Sequence, residues 1–204
     1  MMNEYGSRRS LIGEMAIPFD CELWKVIENN INSPTLKLED AQVYSNFKNI
    51  PEAKTSEFRS SKLGWIEDNS LKQLLMEMIQ YYNHIESHWN FDLLEIEHCQ
   101  YGVYNEGDHF EWHTDLTDNP CNINGQLLDR KISLSIFLND PDEYEGGEFD
   151  VEIKSPLKDV RYKSFKSPKG TVVIFPSYLW HRVRPITSGV RKTLVVWALG
   201  PPFR

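Results

Sequence analysis

A chain of 204 residues can bury one sizeable core with an elaboration beside it, and is short for two full domains. Its 30 acids against 22 bases leave a formal charge of -8, which excludes a binder that works by blanketing phosphates with Lys and Arg, so no nucleic-acid partner is expected. Cys21, Cys99 and Cys121 are widely spaced and include no C-x-x-C pair; neither a disulfide framework nor a thiolate zinc site is suggested, and the pattern reads as a reduced, cytoplasmic protein.

The opening stretch MMNEYGSRRSLIGEMAIPF lacks an apolar core after its basic pair. Nowhere do about 18 apolar residues run together, so neither a signal peptide nor a membrane span is expected. Asp20 is placed to cap a helix in which Leu23, Ile27 and Ile31 share a face with Trp24, ended by Asn32-Ser-Pro34. A longer helix is predicted from Ser70, where Ser70-Leu-Lys-Gln73 fits a capping box, with Leu71, Leu74, Leu75, Met78, Tyr82, Ile85 and Trp89 on one stripe. Residues 1–95 therefore read as an N-terminal helical extension packing on a core formed by residues 96–204.

From about residue 95 the hydrophobic period falls from roughly 3.6 to 2. Strands are predicted near 97–104, 110–115, 131–139, 147–153, 160–165, 171–175, 181–187 and 191–199, separated by Gly, Pro, Asn and Asp clusters. So many short strands in so little chain imply a mainly β fold with flanking helices, a double-sheet jelly roll. On the strand 131–139, Ile132, Leu134, Ile136 and Leu138 form a wholly aliphatic face that suits the helices; Ser133, Ser135 and Phe137 are left to line the inside. Leu116–Asp129 is polar and longer than a hairpin needs, and is read either as a lid over a substrate or as an ordinary surface loop.

His113 and Asp115 are two apart on a predicted strand, so both side chains leave one face. Alone, such a pair is most simply a hydrogen-bonded couple on a sheet. His181 at a later strand start, followed ten residues on by Arg191, changes its meaning. Two imidazoles and one carboxylate on one side of an ion leave adjacent positions open, the arrangement of non-haem Fe(II) oxygenases. With His181 and Arg191 on adjacent antiparallel strands, the arginine fork would stand near the ion and suit a second carboxylate, so that an organic diacid spans the two. His84 and His88 lie off the apolar stripe of their helix and read as solvated; His98 and His109 have no partner at a useful spacing.

The run YNEGDHFEWHTD, residues 104–115, resembles the Y-x-x-G-x-x-Y-x-x-H-x-D stretch of 2-oxoglutarate and Fe(II)-dependent oxygenases of the prolyl 4-hydroxylase type, up to small differences in spacing. Arg130–Asp140, Glu145–Phe149, Lys169–Pro176 and His181–Arg191 are similar to that family's remaining core strands. They are most like the bacterial PKHD-like hydroxylase branch, which carries Arg where the animal collagen enzymes carry Lys. The resemblance covers roughly residues 96 to 200. It implies that His113, Asp115 and His181 bind iron, that Arg191 holds the distal carboxylate of 2-oxoglutarate, and that Tyr104 and Ser133 help seat that cosubstrate. No catalytic side chain beyond the metal ligands is implied. It also implies O2 as oxidant, ascorbate as an auxiliary reductant, and hydroxylation of a protein, peptide or small-molecule substrate, a peptidyl proline among them. Phe110 departs from the family's tyrosine, which removes one expected hydrogen bond to 2-oxoglutarate; it reads as core packing or as part of the pocket wall, and Trp112 as core packing. Two other readings remain open: a cupin-like or lectin-like binding module without catalysis, and a zinc hydrolase using the same triad with Glu111 as base. Neither gives Arg191 a task.

Overall fold

Beyond residue 95 the described chain forms strands and no helix, because its apolar residues alternate and an alternating chain can bury one side only as a strand. The computed structural model describes residues 11–41, 55–116, 120–123, 125–153 and 161–203; the extreme N-terminus read above for a signal peptide lies outside these. In chain order the elements are β1 (Gly13–Ala16), α1 (Glu22–Ile31), β2 (Glu39–Asp40), α2 (Thr55–Phe58), β3 (Arg59–Ser60), β4 (Lys62–Ile66) and α3 (Asn69–Tyr81), which runs into a π-helical turn at Tyr82–Glu86. There follow β5 (Glu95–Ile96), β6 (Cys99–Tyr104), β7 (His109–His113), β8 (Cys121–Ile123), β9 (Gln126–Phe137), β10 (Tyr144–Gly146), β11 (Phe149–Glu152) and β12 (Tyr162–Phe165). The last four are β13 (Thr171–Pro176), β14 (His181–Val183), β15 (Ile186–Gly189) and β16 (Arg191–Gly200).

Two sheets face each other in a jelly roll. The larger has the order β1-β13-β9-β16-β6-β4-β2, and the smaller the order β12-β11-β14-β7-β3. Between them lies a core that includes Tyr104, Phe137, Val173 and Phe175 from the larger sheet and Phe149, Val151, Phe165 and Val183 from the smaller. A second core lies on the outer side of the larger sheet, where Ile132, Leu134, Ile136 and Leu138 meet Leu23, Trp24 and Ile27 of α1 and Leu71, Leu75 and Ile79 of α3. The aliphatic face of the strand 131–139 thus packs under the helices, as the sequence predicts.

Both helix starts lie elsewhere than expected. Cys21, not Asp20, caps α1, its sulfur accepting the Trp24 N–H at 3.4 Å. Asp68, not Ser70, caps α3: its carboxylate accepts the Leu71 N–H at 2.9 Å and the Asn30 side-chain amide at 2.9 Å, tying the two helices together. A carboxylate on extended backbone (φ -131°, ψ 115°) just ahead of the helix outcompetes the hydroxyl already inside the first turn. The π turn then shifts the phase of the apolar stripe, so that Ile85 is exposed.

The first 95 residues are also not purely helical. β1 extends the larger sheet beside β13, β4 extends it beside β6, and β3 extends the smaller sheet beside β7. The predicted strand 181–187 is broken into β14 and β15 around Arg184-Pro185, where proline supplies no N–H to a ladder. Of the segment 116–129, the described residues form mostly a hairpin, β8 against the start of β9, with Gly125 (φ +83°) at its turn. Residues 117–119 and 124 of the lid reading lie outside the described residues.

Candidate metal centre

Strand pairing brings the two imidazoles together. β14 and β7 are antiparallel neighbours with His181 opposite His113, and their ring centroids are 4.1 Å apart. Each ring is held by the same device. His113 Nδ1 lies 2.7 Å from the Glu111 carbonyl and His181 Nδ1 lies 2.9 Å from the Leu179 carbonyl. A carbonyl can only accept, so each Nδ1 carries the proton and each Nε2 presents a lone pair.

Asp115 reaches the same point by a different route from the one expected. β7 ends at His113, and Asp115 lies beyond it, its N–H and that of Leu116 both donating to the Ser177 carbonyl at 3.0 Å. Its carboxylate oxygens come within 3.9 Å of His113 Nε2 and 3.4 Å of His181 Nε2. The three candidate ligand atoms all lie within 4.8 Å of one another, and Asp115 Oδ2 is buried without a hydrogen-bond partner. Two lone pairs and an unpartnered carboxylate oxygen aimed at one point repel one another until a cation sits between them.

The electrostatics fit that reading. Burial holds the His113 imidazole well below the usual histidine range, and the neighbouring His181 adds to the effect. Burial pushes the Asp115 carboxyl up, but His181, His113 and Arg130 together outweigh it and the net shift is downward. At neutral pH the centre therefore offers a neutral imidazole and an ionised carboxylate, the protonation states that metal binding requires.

Arg191 starts β16 opposite Tyr104 on β6, so it belongs to the larger sheet and faces His181 of the smaller sheet across the interior rather than from an adjacent strand. It is 1% exposed, and its Nε, Nη1 and Nη2 are all buried without a hydrogen-bond partner. Burial lowers its pKa from the usual guanidinium range, against the pull of Tyr144 and Tyr104. Its charge rests over Phe137 at 5.2 Å and Tyr104 at 5.6 Å. A guanidinium buried with no carboxylate paired to it among the described residues suits a bidentate carboxylate ligand.

His113, Asp115, His181, Arg191 and Tyr104 line one cavity, walled by Phe110, Phe149, Phe175 and Val183. Ser133 does not line it. Its hydroxyl is 2.9 Å from that of Ser177, so it braces the residue whose carbonyl fixes Asp115; Ser135, paired with Thr193 at 2.9 Å, lines the cavity instead. Phe110 is part of the wall and stacks on His113 at 3.6 Å, whereas Trp112 packs on the outer side of the smaller sheet against Tyr162 and Arg182. A register shift between β7 and β14 keeps Glu111 out of the cavity lining. His84 and His88 are exposed and bonded to Asn90 and to a backbone carbonyl.

Two residues at the candidate site escape the sequence reading. Tyr144 is 2% exposed, with its hydroxyl buried and unpartnered beside Arg191. The signal that could have found it is a bulky aromatic just before the turn Glu145-Gly-Gly. Arg59 lines the cavity itself, but it stands on a two-residue strand that leaves no periodic trace.

Comparison with known proteins agrees with this geometry. The family description "2OG-Fe(II) oxygenase superfamily" matches residues 99–199. A PKHD-type hydroxylase of Synechococcus sp. (strain CC9902) is 37% identical over 91 residues, covering 45% of this chain and 36% of that protein. A PKHD-type hydroxylase of Hyphomonas neptunium is 39% identical over 93 residues, covering 45% of this chain and 38% of that protein. The chain thus aligns with little more than a third of the length of these curated relatives. In fold it is similar to a Pseudomonas putida prolyl-4-hydroxylase (TM-score 0.64, 17% identity, 93% of this chain and 92% of that one). It is likewise similar to a viral collagen prolyl hydroxylase from Paramecium Bursaria Chlorella virus-1 (TM-score 0.61, 18% identity, 94% and 97%). Residues 99–199, which contain the whole triad and Arg191, belong to the 2OG-Fe(II) oxygenase superfamily.

Proposed function

We propose that this protein is a 2-oxoglutarate- and Fe(II)-dependent dioxygenase that hydroxylates an unactivated C–H bond. The observation that carries the proposal is the pairing, in one cavity, of the convergent His113–Asp115–His181 set with the buried fork of Arg191, which has no carboxylate paired to it among the described residues. A metal triad alone would equally suit a hydrolase, and a buried arginine alone would equally suit a simple anion site. Together they fit a ligand with a chelating end and a distal carboxylate, which a binding module or a zinc hydrolase does not need.

On this reading His113, Asp115 and His181 hold Fe(II) and leave adjacent positions open. Arg191 takes the distal carboxylate of 2-oxoglutarate bidentately, and the Tyr144 hydroxyl adds a donor to the same end. The Tyr104 ring supports the guanidinium and flanks the cosubstrate. With both groups bound, one oxygen atom of O2 ends in the succinate formed as 2-oxoglutarate loses carbon dioxide, and the other ends in the hydroxyl of the substrate. The protein's part is placement and exclusion of water: Phe110, Phe149, Phe175 and Val183 keep the oxidant's surroundings apolar. Ascorbate serves only to return oxidised iron to Fe(II), and a reducing, cytoplasmic setting suits that requirement. The substrate we infer is a residue of a protein or peptide, with peptidyl proline first. The names of the prolyl hydroxylases above support it, as does a Trichoplax adhaerens prolyl hydroxylase solved with a peptide fragment (TM-score 0.62, 13% identity, 93% of this chain and 84% of that one).

The test is anaerobic addition of Fe(II) and 2-oxoglutarate, followed by oxygen. A visible metal-to-ketoacid charge-transfer band and then succinate are expected. If neither the band nor succinate appears, the reading is overturned.

A further inference from the structure

Among the described residues, three charged side chains line the cavity: Asp115, Arg191 and Arg59. Arg59 comes from β3, next to Phe110 of β7, and is 9% exposed. Its Nη2 donates to Gln100 Oε1 at 2.8 Å, its Nε donates to Ser61 Oγ at 3.2 Å, and its charge sits 4.3 Å over the Phe110 ring. Those contacts fix the fork without neutralising it, since both acceptors are neutral. Among the described residues it makes no ion pair. A guanidinium buried without a counter-ion costs several kcal/mol, a cost that a bound anion relieves.

The charge count says which anion that is. Two guanidinium groups and one carboxylate leave the cavity at plus one. A divalent ion raises this to plus three, and the 2-oxoglutarate dianion lowers it again to plus one. Arg191 is occupied by the distal carboxylate, so the uncompensated charge is that of Arg59, on the other side of Phe110 from His113.

We propose that Arg59 is the substrate-reading residue of this site and that the molecule being oxidised presents a carboxylate to it. This rests on the oxygenase reading above. The carboxylate is either an acidic side chain of a peptide or the α-carboxylate of a small acid. Both give the fork a planar, bidentate partner.

The test uses protein loaded to saturation with Mn(II) and N-oxalylglycine, an unreactive isostere of 2-oxoglutarate, with loading confirmed by electron paramagnetic resonance. Four probes are titrated, and paramagnetic relaxation of each acetyl methyl group by Mn(II) is followed. N-acetyl-L-proline carries an α-carboxylate, and acetyl-Pro-Asp-amide carries one on its side chain. Acetyl-prolinamide and acetyl-Pro-Asn-amide are their neutral twins. At least one anionic probe is expected to bind about tenfold tighter than its twin, the worth of one charge-assisted contact, and which one it is identifies the source. The advantage should vanish in Arg59→Gln and be partly kept in Arg59→Lys, each loaded to saturation in the same way. The proposal is overturned if neither acid outbinds its twin, or if the advantage survives Arg59→Gln, as it would were the acid held by the ion alone. Failure to load N-oxalylglycine in the wild-type protein would instead remove the oxygenase reading, and this one with it.

Discussion

On the proposed reading, Arg191 and Tyr144 make separable contributions to holding 2-oxoglutarate. Removing the fork in Arg191→Ala takes away two charge-assisted hydrogen bonds, so 2-oxoglutarate affinity read from the charge-transfer band should fall about a hundredfold, with little change in Fe(II) affinity. Tyr144→Phe removes one neutral donor and should weaken the same titration about fivefold. If Tyr144→Phe were silent, the hydroxyl would belong to the core alone. His113 and Asp115 govern a different variable, pH. Folding lowers the His113 pKa below 6.5, so between 6.5 and its folded value the unfolded chain binds the extra proton and stability declines as pH falls. The lowered Asp115 pKa acts in the same direction below 3.8. Urea midpoints of the metal-free protein should therefore fall on acidification from near neutrality and fall more steeply below pH 3.8; a flat profile would show that neither shift exists. The triad and Arg191 were legible in the sequence because their chemistry is written in residue type and order. Ser133 and Ser135 share one face of their strand, but alternation does not say how far along a face the cavity extends, and it is Ser135 that lines it.

At the level of elements, the strands carrying the site depend on features that sequence periodicity does not record. Gly147 has φ +66°, and a Cβ there would stand 2.4 Å from Ile186 Cδ1 and 3.2 Å from both Arg191 Cδ and a Tyr144 ring carbon. Gly147→Ala should cost about 1–2 kcal/mol for the left-handed backbone and should also displace the Arg191 fork, lowering 2-oxoglutarate affinity. Intact affinity would show that the turn and the fork move independently. Outside the cavity, fully buried Asp150 on β11 binds Arg182 Nε at 2.8 Å, Arg184 Nε at 2.9 Å and Ser164 Oγ at 2.5 Å, clamping β12 and β14 to itself. Most strands from 97 onward are legible because they are long enough to show their period, whereas the three-residue strands β8 and β10 are not. β14 and β15 were read as one because the apolar pattern continues across Pro185, and Asp150 carries no signal at all because a clamping aspartate looks like any other polar residue in a short strand. The two-residue strands β2, β3 and β5 were beyond reach for the same reason: two residues have no period.

The molecule as a whole depends on the segment that the sequence left outside the recognisable motifs. Ile132, Leu134 and Ile136 on β9, Val172 and Ile174 on β13, and Leu194, Val196 and Ala198 on β16 form the outer face of the larger sheet, and each is fully or almost fully buried. What buries them is α1 and α3, with β1 and β4 adding strands to the same sheet. Each large aliphatic side chain returned to water costs about 1.5–3 kcal/mol, so uncovering this face costs roughly 10–20 kcal/mol, as much as or more than the roughly 5–15 kcal/mol by which a domain is stable. We therefore predict that residues 96–204 made alone do not fold into a soluble monomer, although the family match begins at residue 99. The measurement is expression of that fragment followed by circular dichroism and thermal unfolding. A soluble fragment with a cooperative transition would show that the jelly roll stands without its helices. Adding residues 11–95 back in the same chain should restore both the transition and, through Arg59, the cation beside the metal site that no part of the jelly-roll motif supplies.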